Sequence, residues 1–226
     1  MLIAHEAPMC IMPSVQALTD YDYCLVHLLE ESRDYLNYFY LAKEKGRKII
    51  MDCSLFELGE AFDSKKYYDW LLRLDPDEYI VPDVWQDCDG NISSFKQFCD
   101  QFDLSHLSGK KIGVLQGKSF EDFDKAYTFM ADYADKVAIS FGYDFYLKIT
   151  SDKLSNAQRY SLGRRNLLQY LLDHKRIDFN KKHHLLGCGN PLEFVFYKNE
   201  RYDFIESIDT SHPVVSGFFY KDYDKK

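Results

Sequence analysis

Short apolar runs recur along the chain and alternate with longer segments that carry the spacing of amphipathic helices. The runs cover residues 24–29, 48–54, 79–84, 111–117, 136–142, 183–189 and 202–209, with 214–220 as a possible eighth. They are continuous rather than alternating, which is typical of parallel strands buried on both faces. We therefore predict that these runs form the strands of one parallel sheet.

Helical spacing appears between the runs, at residues 32–46, 64–74, 91–102 and 119–134. The first of these segments stops at Gly46, and Ser119 stands where an N-cap is expected for the last. This alternation of strand and helix predicts an α/β fold, a small (β/α)8 barrel that spans residues 1–226 as a single domain. The doubly wound alternative is less favoured because no glycine-rich turn follows the first run.

The composition is that of a globular protein of 226 residues, with 46% hydrophobic and 28% charged residues. The six cysteines are scattered without a C-x-x-C pair, which favours free thiols in a reducing compartment and gives no grounds for a metal site. No apolar run approaches the roughly 18 residues needed to span a bilayer, and the first residues lack a signal-peptide pattern. We expect a cytoplasmic protein.

The net charge of −8 argues against a surface that attracts nucleic acid evenly. The segment 146–182 differs from this average, because nine basic and three acidic side chains give it a charge of +6. A solvated helix face explains this basic segment on charge alone, but such a patch also suits a phosphate backbone. The candidate nucleic-acid contacts are Lys153, Arg164, Arg165, Lys181 and Lys182.

Carboxylates, a carboxamide and glycines stand at the ends of the predicted strands. They are Asp52, Asp83, Gln116, Gly117, Gly142, Gly187, Gly189 and Asp209. In a barrel these ends meet at one rim, the face that carries active sites. Helix capping and turn formation explain any single one of these residues equally well. They explain Asp52 and Asp209 less well, because a carboxylate inside an apolar run is costly to bury without a partner.

Neighbouring carboxylate and carboxamide groups suit the edge of a guanine-like base. Asp83 would accept from a ring N–H and an exocyclic amine, while Gln116 and a backbone N–H beside Gly142 would donate to a carbonyl oxygen. Phe56 would stack on one face of the ring and Leu186 would cover the other. The expected binding residues are Asp83, Gln116, Gly117, Gly142, Phe56, Leu186 and Gly187.

The order of these motifs resembles the tRNA-guanine transglycosylase superfamily of (β/α)8 barrels, from about residue 48 to residue 213. "DCSLF", with Asp52 and Phe56, is similar to the family's Asp-Ser-Gly-Gly-aromatic motif, and "VPDV" to the strand whose aspartate reads guanine. "LQGK" is similar to Val-Gln-Gly-Gly, with Lys118 in place of the second glycine, and "SFGYD" to a glycine-rich strand end. "HLLGCG" is similar to His-Leu-Met-Gly-Val-Gly, and "DTSHP" to the Asp-x-x-x-Pro motif of the nucleophile.

The resemblance implies Asp209 as nucleophile and Asp52 as general acid and base in a guanine exchange that needs no metal or redox cofactor. The family's C-terminal zinc site has no counterpart in the sequence, so the chain most resembles the short zinc-less 7-deazaguanine DNA transglycosylases. The expected partners are DNA and a free 7-deazaguanine base. A minimal transglycosylase acting on tRNA is the first alternative, and a non-catalytic barrel that binds nucleobases is the second. His183 and His184 are expected to be core residues or to support site residues from behind, rather than to be catalytic.

Overall fold

A computed structural model describes residues 1–219 and contains one sheet of eight parallel strands. The strands are β1 (Leu2–His5), β2 (Asp22–Leu25), β3 (Ile49–Asp52), β4 (Glu78–Ile80), β5 (Lys110–Leu115), β6 (Lys136–Ser140), β7 (Lys182–Leu186) and β8 (Ile205–Thr210). Their hydrogen-bonded order is β1-β8-β7-β6-β5-β4-β3-β2. The two end strands, β1 and β2, pack side by side, so the sheet nearly closes. The predicted (β/α)8 barrel is confirmed.

The seam between β1 and β2 is bridged by the two residues that precede Tyr21. The Asp20 N–H donates to the Ile3 carbonyl at 2.9 Å, and the Ile3 N–H donates to the Asp20 carboxylate at 2.8 Å. The His5 N–H donates to the Thr19 hydroxyl oxygen at 2.7 Å. Backbone groups of β1 are therefore satisfied, although the described part of the chain has no ladder between these two strands.

Helices surround the sheet and bury its outer face. They are α1 (Met12–Val15), α2 (Val26–Glu31), α3 (Arg33–Glu44), α4 (Leu55–Leu58), α5 (Ser64–Leu74), α6 (Cys88–Gln101), α7 (Phe120–Tyr133), α8 (Asp144–Lys148), α9 (Asn156–Asp173), α10 (Leu192–Phe196) and α11 (His212–Phe218). The four helices expected from the sequence are α3, α5, α6 and α7. The Ser119 side chain caps α7 by accepting from the Asp122 N–H at 3.1 Å, and Gly46 follows α3 with a positive φ of 67°.

Two of the apolar runs differ from the expectation. Run 24–29 is strand only as far as Leu25, and the helix α2 begins at the next residue. The possible eighth strand at 214–220 is wrong as far as the structure describes it, because its residues up to 218 belong to α11, while Tyr220 lies outside the described residues. Pro213 in the first turn of α11 is the local signal for a helix start. The eighth strand of the barrel is β1, which the sequence pattern missed.

The cysteines are all free, and Cys24, Cys53, Cys88 and Cys188 are buried, as expected. Within residues 1–219, no helix combines the length and the apolar character that a membrane crossing requires.

Candidate active site

One cavity of about 450 Å³ opens at the carboxyl ends of the strands. Eight of the predicted site residues line it: Asp52, Phe56, Asp83, Gln116, Gly142, Leu186, Gly187 and Asp209. The volume lies in the range of small-molecule sites, about 300–1,000 Å³. The structure therefore brings together carboxylates, a carboxamide and an aromatic ring that are far apart in the sequence.

Asp52 is the last residue of β3 and is half-buried in the cavity wall. Its Oδ2 accepts a hydrogen bond from the Tyr23 hydroxyl at 2.5 Å, and its Oδ1 accepts from the Ser54 N–H at 2.5 Å. Burial raises the pKa of Asp52 to about 7, and the charges of Glu57 and Asp83 add to the rise, while the two hydrogen bonds oppose it. Near neutral pH this carboxyl group therefore exists in both protonation states.

Asp209 lies on β8 and is hydrogen-bonded through both carboxylate oxygens. Its Oδ1 lies 3.0 Å from Nε2 of His184, and its Oδ2 accepts from the Gly187 N–H at 3.0 Å. The backbone of Gly187 has a positive φ of 67°, a conformation that favours glycine. His184 is fully buried and supports Asp209 directly, which agrees with the expected core or supporting role.

Glu6 is a further carboxyl group of this cavity, beside the three predicted aspartates, and sequence reasoning missed it. It follows β1, where its N–H donates to the Thr210 carbonyl and holds it beside Asp209. Burial and the charge of Asp209, to which it is hydrogen-bonded, raise the pKa of Glu6 well above its ordinary value. The signal in the sequence was present, because an acid follows the short apolar run Leu2–Ala4, but that run is too short to stand out.

Asp83 and Gln116 form a buried pair on the other side of the cavity. Nε2 of Gln116 donates to Oδ2 of Asp83 at 2.6 Å, and Oε1 of Gln116 accepts from the Gln86 N–H at 2.8 Å. The Cys53 thiol lies 3.3 Å from the other Asp83 oxygen. Burial raises the pKa of Asp83 to about 6, against the effect of its bonds from Gln116 and Cys53. Both side chains are thus held in fixed orientations.

Aromatic rings surround the entrance. Phe56 is 78% exposed and meets Trp85 edge-on, with ring centroids 6.3 Å apart. A Cβ placed on Gly142 would lie 3.8 Å from the Trp85 ring and 4.0 Å from the Phe56 ring. Trp85 and Tyr160 also line the cavity and were not predicted. A flat ligand can therefore lie between aromatic side chains at this entrance.

Two expected features of the site are corrected by the structure. Gly117 lies outside the cavity wall and packs on α7, where an added Cβ would come 2.6 Å from Cβ of Asp122. Arg164, expected at the surface, is fully buried. Its guanidinium pairs with Glu193 at 2.7 Å and donates to the carbonyls of Leu186 and Gly187 at 3.0 and 2.8 Å. It therefore holds the end of β7 in place and is not available to a phosphate.

The remaining basic residues do not form one patch at the cavity. Lys181 and Lys182 lie at the amino end of β7, opposite the cavity, and Nζ of Lys181 donates to the Ala134 carbonyl at 2.6 Å. The guanidinium of Arg165 packs over the Phe196 ring at 3.6 Å. Lys153 is exposed in the connection between β6 and α9, on the same side as the cavity. In the described residues, no three His, Cys, Asp or Glu side chains are grouped as metal ligands.

Comparisons with known proteins support the fold. No family model matches the chain, and a search of curated proteins finds no match either. Among solved structures, the chain is similar to an HpcH/HpaI aldolase from Desulfitobacterium hafniense DCB-2, with 11% identity and a TM-score of 0.54 over 96% of this chain and 88% of that chain. At this identity the similarity shows the fold alone, a (β/α)8 barrel.

Proposed function

We propose that this protein is an enzyme that exchanges a guanine-type base at a glycosidic bond of a nucleic acid. The observation that carries the proposal is the difference between two carboxyl groups in one cavity. Both groups accept two hydrogen bonds, but Asp209 is held by the His184 ring and the Gly187 N–H. Asp52 is held by the Tyr23 hydroxyl and the Ser54 N–H, and burial raises its pKa to about 7. Carboxyl groups in such different surroundings suit a nucleophile and an acid/base, as in retaining glycosidases.

The reaction consists of two displacements at C1′ of the sugar. A carboxylate oxygen of Asp209 attacks C1′, the bond from C1′ to the base nitrogen breaks, and its electron pair leaves with the base, which takes a proton from Asp52. The deprotonated Asp52 then takes a proton from the incoming base. The nitrogen of that base attacks C1′, and the ester bond to Asp209 breaks. Two inversions restore the original configuration.

Selection of the base is assigned to the Asp83–Gln116 pair. The Asp83 carboxylate accepts from the ring N–H and the exocyclic amine of guanine, and Gln116 donates to its carbonyl oxygen. Their mutual bond of 2.6 Å keeps both groups in position before the base arrives. Phe56 stacks on the ring from the open side. Adenine offers neither the carbonyl nor the amine at these positions and is rejected.

A nucleic acid is favoured as the sugar donor by three exposed lysines on the cavity side of the barrel. Lys118 follows β5, and Lys148 and Lys153 follow β6, so all three stand on the cavity side of the barrel. Phosphates on this side would place a target nucleotide over the cavity, into which it must be flipped at a cost of a few kcal/mol. DNA is the proposed substrate on the resemblance to the zinc-less DNA transglycosylases, with tRNA as the alternative.

The test is an exchange assay with isotopically labelled guanine, run on DNA and on tRNA with the purified full chain. We expect label to enter DNA, and Asp209→Asn and Asp52→Asn to abolish incorporation. Asp132→Asn, which changes an exposed carboxylate on α7, is the matched control and keeps full activity.

The results of this assay distinguish the three candidate functions. Incorporation into tRNA alone selects the first alternative. Binding of guanine without incorporation into either substrate selects the non-catalytic barrel. A covalent sugar adduct that persists in Asp209→Asn overturns the assignment of the nucleophile.

A further inference from the structure

A chain of buried polar side chains leads from Asp209 into the interior of the barrel. His184 on β7 lies between Asp209 and Ser207, with Nε2 3.0 Å from Asp209 Oδ1 and Nδ1 2.9 Å from Ser207 Oγ. Ser207 Oγ lies 3.4 Å from Nζ of Lys136, the first residue of β6. All these side chains except Asp209 are 2% exposed or less, and Asp209 is 4% exposed.

At the inner end of this series of hydrogen bonds, Lys136 pairs with two carboxylates. Its ammonium group lies 2.6 Å from Glu78 and 2.5 Å from Glu206, and Lys48 contacts the same two acids at 2.9 and 3.9 Å. An ammonium group has three protons and no acceptor. Two of the protons go to the glutamates, so the third is donated to Ser207 Oγ.

This arrangement sets the direction of every hydrogen bond up to Asp209. Asp209, as a carboxylate, can only accept, so Nε2 of His184 carries a proton. Ser207 accepts from Lys136, so its own proton can be donated to Nδ1 of His184. Nδ1 is then an acceptor and carries no proton. The proton of the neutral ring is therefore on Nε2, from which it is donated to Asp209.

We propose that Lys136 and Ser207 are positioning residues that keep His184 as the neutral Nε2–H tautomer, so that Asp209 is oriented by an uncharged donor. This inference rests on the proposed function for its catalytic meaning. In an ion pair with an imidazolium, the negative charge of the carboxylate would be largely neutralised, which would make it a weaker nucleophile. A neutral N–H fixes the attacking carboxylate without neutralising it.

Two tyrosine rings pack on His184, and its charged neighbours are Asp209 and, beyond Ser207, Lys136. Tyr23 stacks on it with centroids 6.1 Å apart and an interplanar angle of 16°, and Tyr21 meets it edge-on at 6.4 Å. Asp209, which also contacts Glu6, is the acid that His184 contacts directly, and Lys136 is the nearest cation along the chain of hydrogen bonds.

The experiment is ¹⁵N NMR of histidine-labelled protein, in which the ring shifts distinguish both neutral tautomers from the imidazolium. The spectrum of His184→Gln assigns the signal among the seven histidines. We expect the Nε2–H pattern from about pH 6 to pH 8 in the unaltered protein. An Nδ1–H pattern or an imidazolium in that range overturns the proposal.

Ser207→Ala tests the connection to Lys136. It leaves Nδ1 without a donor, so we expect the ¹⁵N resonance of His184 Nδ1 to move downfield, as for an imine-type ring nitrogen that accepts no hydrogen bond. Ser207→Thr retains the hydroxyl and should keep the neutral pattern. Ser161→Ala, which removes a buried hydroxyl on α9, is the control for loss of a buried hydroxyl. An unchanged His184 signal in Ser207→Ala overturns the proposal.

Kinetics separate this inference from the proposed function. In the base-exchange assay, Ser207→Ala should lower kcat by about tenfold and leave KM for the free base unchanged, because the base does not contact this chain of side chains. A KM effect with unchanged kcat contradicts the positioning role. If the unaltered protein exchanges no base but shows the expected NMR pattern, the proposed function fails and the hydrogen-bond direction stands.

Discussion

The Tyr23 hydroxyl lies 2.5 Å from Oδ2 of Asp52, while the ring of the same tyrosine stacks on His184, the partner of Asp209. One side chain of β2 thus contacts both halves of the candidate catalytic pair. Its hydroxyl lowers the pKa of a carboxyl group that burial raises, and its ring covers the imidazole that orients the second carboxylate.

Tyr23→Phe should raise the pKa of Asp52 above its present value of about 7. The hydroxyl donates to the ionised form, so its loss favours the protonated form by ~1.5–3 kcal/mol, or about one to two pKa units. The measurement is the pH dependence of guanine exchange. The limb of the profile that reports ionisation of Asp52 should move to higher pH. Tyr133→Phe removes an exposed hydroxyl on α7 and is the control. A limb that stays in place or moves to lower pH would contradict this role of Tyr23.

Asp83→Ala should weaken exchange of guanine and of 7-deazaguanine together, by about a hundredfold or more in kcat/KM. The buried carboxylate is the acceptor for two donors of the base, and Gln116 loses the partner that orients it. The measurement is kcat/KM for each base, with Asp132→Ala as the control. If adenine exchange is substantial in the unaltered protein and insensitive to this substitution, Asp83 does not read the base.

Arg164→Met should destabilise the fold by about 3–5 kcal/mol, because it leaves Glu193 charged and buried without its partner. The measurement is the free energy of unfolding in urea. The double variant Arg164→Met, Glu193→Leu should recover part of the loss, since neither charge is then buried alone. Arg201→Met breaks an exposed ion pair with Asp173 and should cause a barely measurable change. Equal losses in the single and double variants would show that the pairing is not the cause.

His183 should make the fold less stable as the pH falls. It is buried between β7 and α7, with Nε2 3.0 Å from the Tyr127 hydroxyl, and burial lowers its pKa to about 4. In the unfolded chain a histidine has a pKa of about 6.5, so between about pH 6.5 and pH 4 the unfolded chain binds more protons than the folded protein. The contribution of His183 to stability is therefore complete above about pH 6.5. It is lost as the pH falls to about 4, by up to ~3 kcal/mol. Asp52 and Asp83, whose pKa values are raised, act in the opposite direction over the same range.

The measurement is therefore a comparison of the unaltered protein with His183→Phe, using urea unfolding at a series of pH values. The variant should lose less stability on acidification over this interval. Parallel stability curves would show that His183 does not titrate as described.

Lys148→Glu with Lys153→Glu should weaken DNA binding and reduce the slope of log K against log salt by about two or more, because two phosphate contacts are lost. The measurement is fluorescence anisotropy of labelled DNA at several salt concentrations. Lys181→Glu with Lys182→Glu makes the same charge change at the opposite end of the barrel and is the control. An equal effect of both pairs would indicate non-specific attraction to the chain rather than docking over the cavity.

The sequence was sufficient to predict the barrel and the polar strand ends in the cavity wall, because both follow from the order of strands. Polar residues at strand ends, such as Asp52, Asp83 and Asp209, meet at one rim in any closed parallel barrel. The positions of these residues follow from the strand order and do not depend on side-chain contacts. The sequence pattern missed β1, because a run of four residues is too short to be recognised as a strand, and with β1 it missed Glu6.

The sequence does not show which charged side chains are buried and which are exposed. Arg164 counts towards a basic segment, but its partner Glu193 stands 29 residues later, and only the folding of α10 beside α9 brings them together. Gly117 matches a motif and sits at a strand end, but the space it leaves is filled by Asp122. The pairing of Tyr23 with Asp52, and the entrance position of Trp85, likewise depend on contacts between elements distant in sequence.

The seam between β1 and β2 has a consequence for the site it adjoins. β1 is fastened to the sheet by a ladder on one side only, and Thr19 and Asp20 hold its other edge. A carboxyl group that is hydrogen-bonded to Asp209 is supplied by the residue directly after this strand. Detachment of a single short strand would therefore withdraw Glu6 and admit water to Asp209, which links the acidity of the cavity to the integrity of the amino-terminal edge.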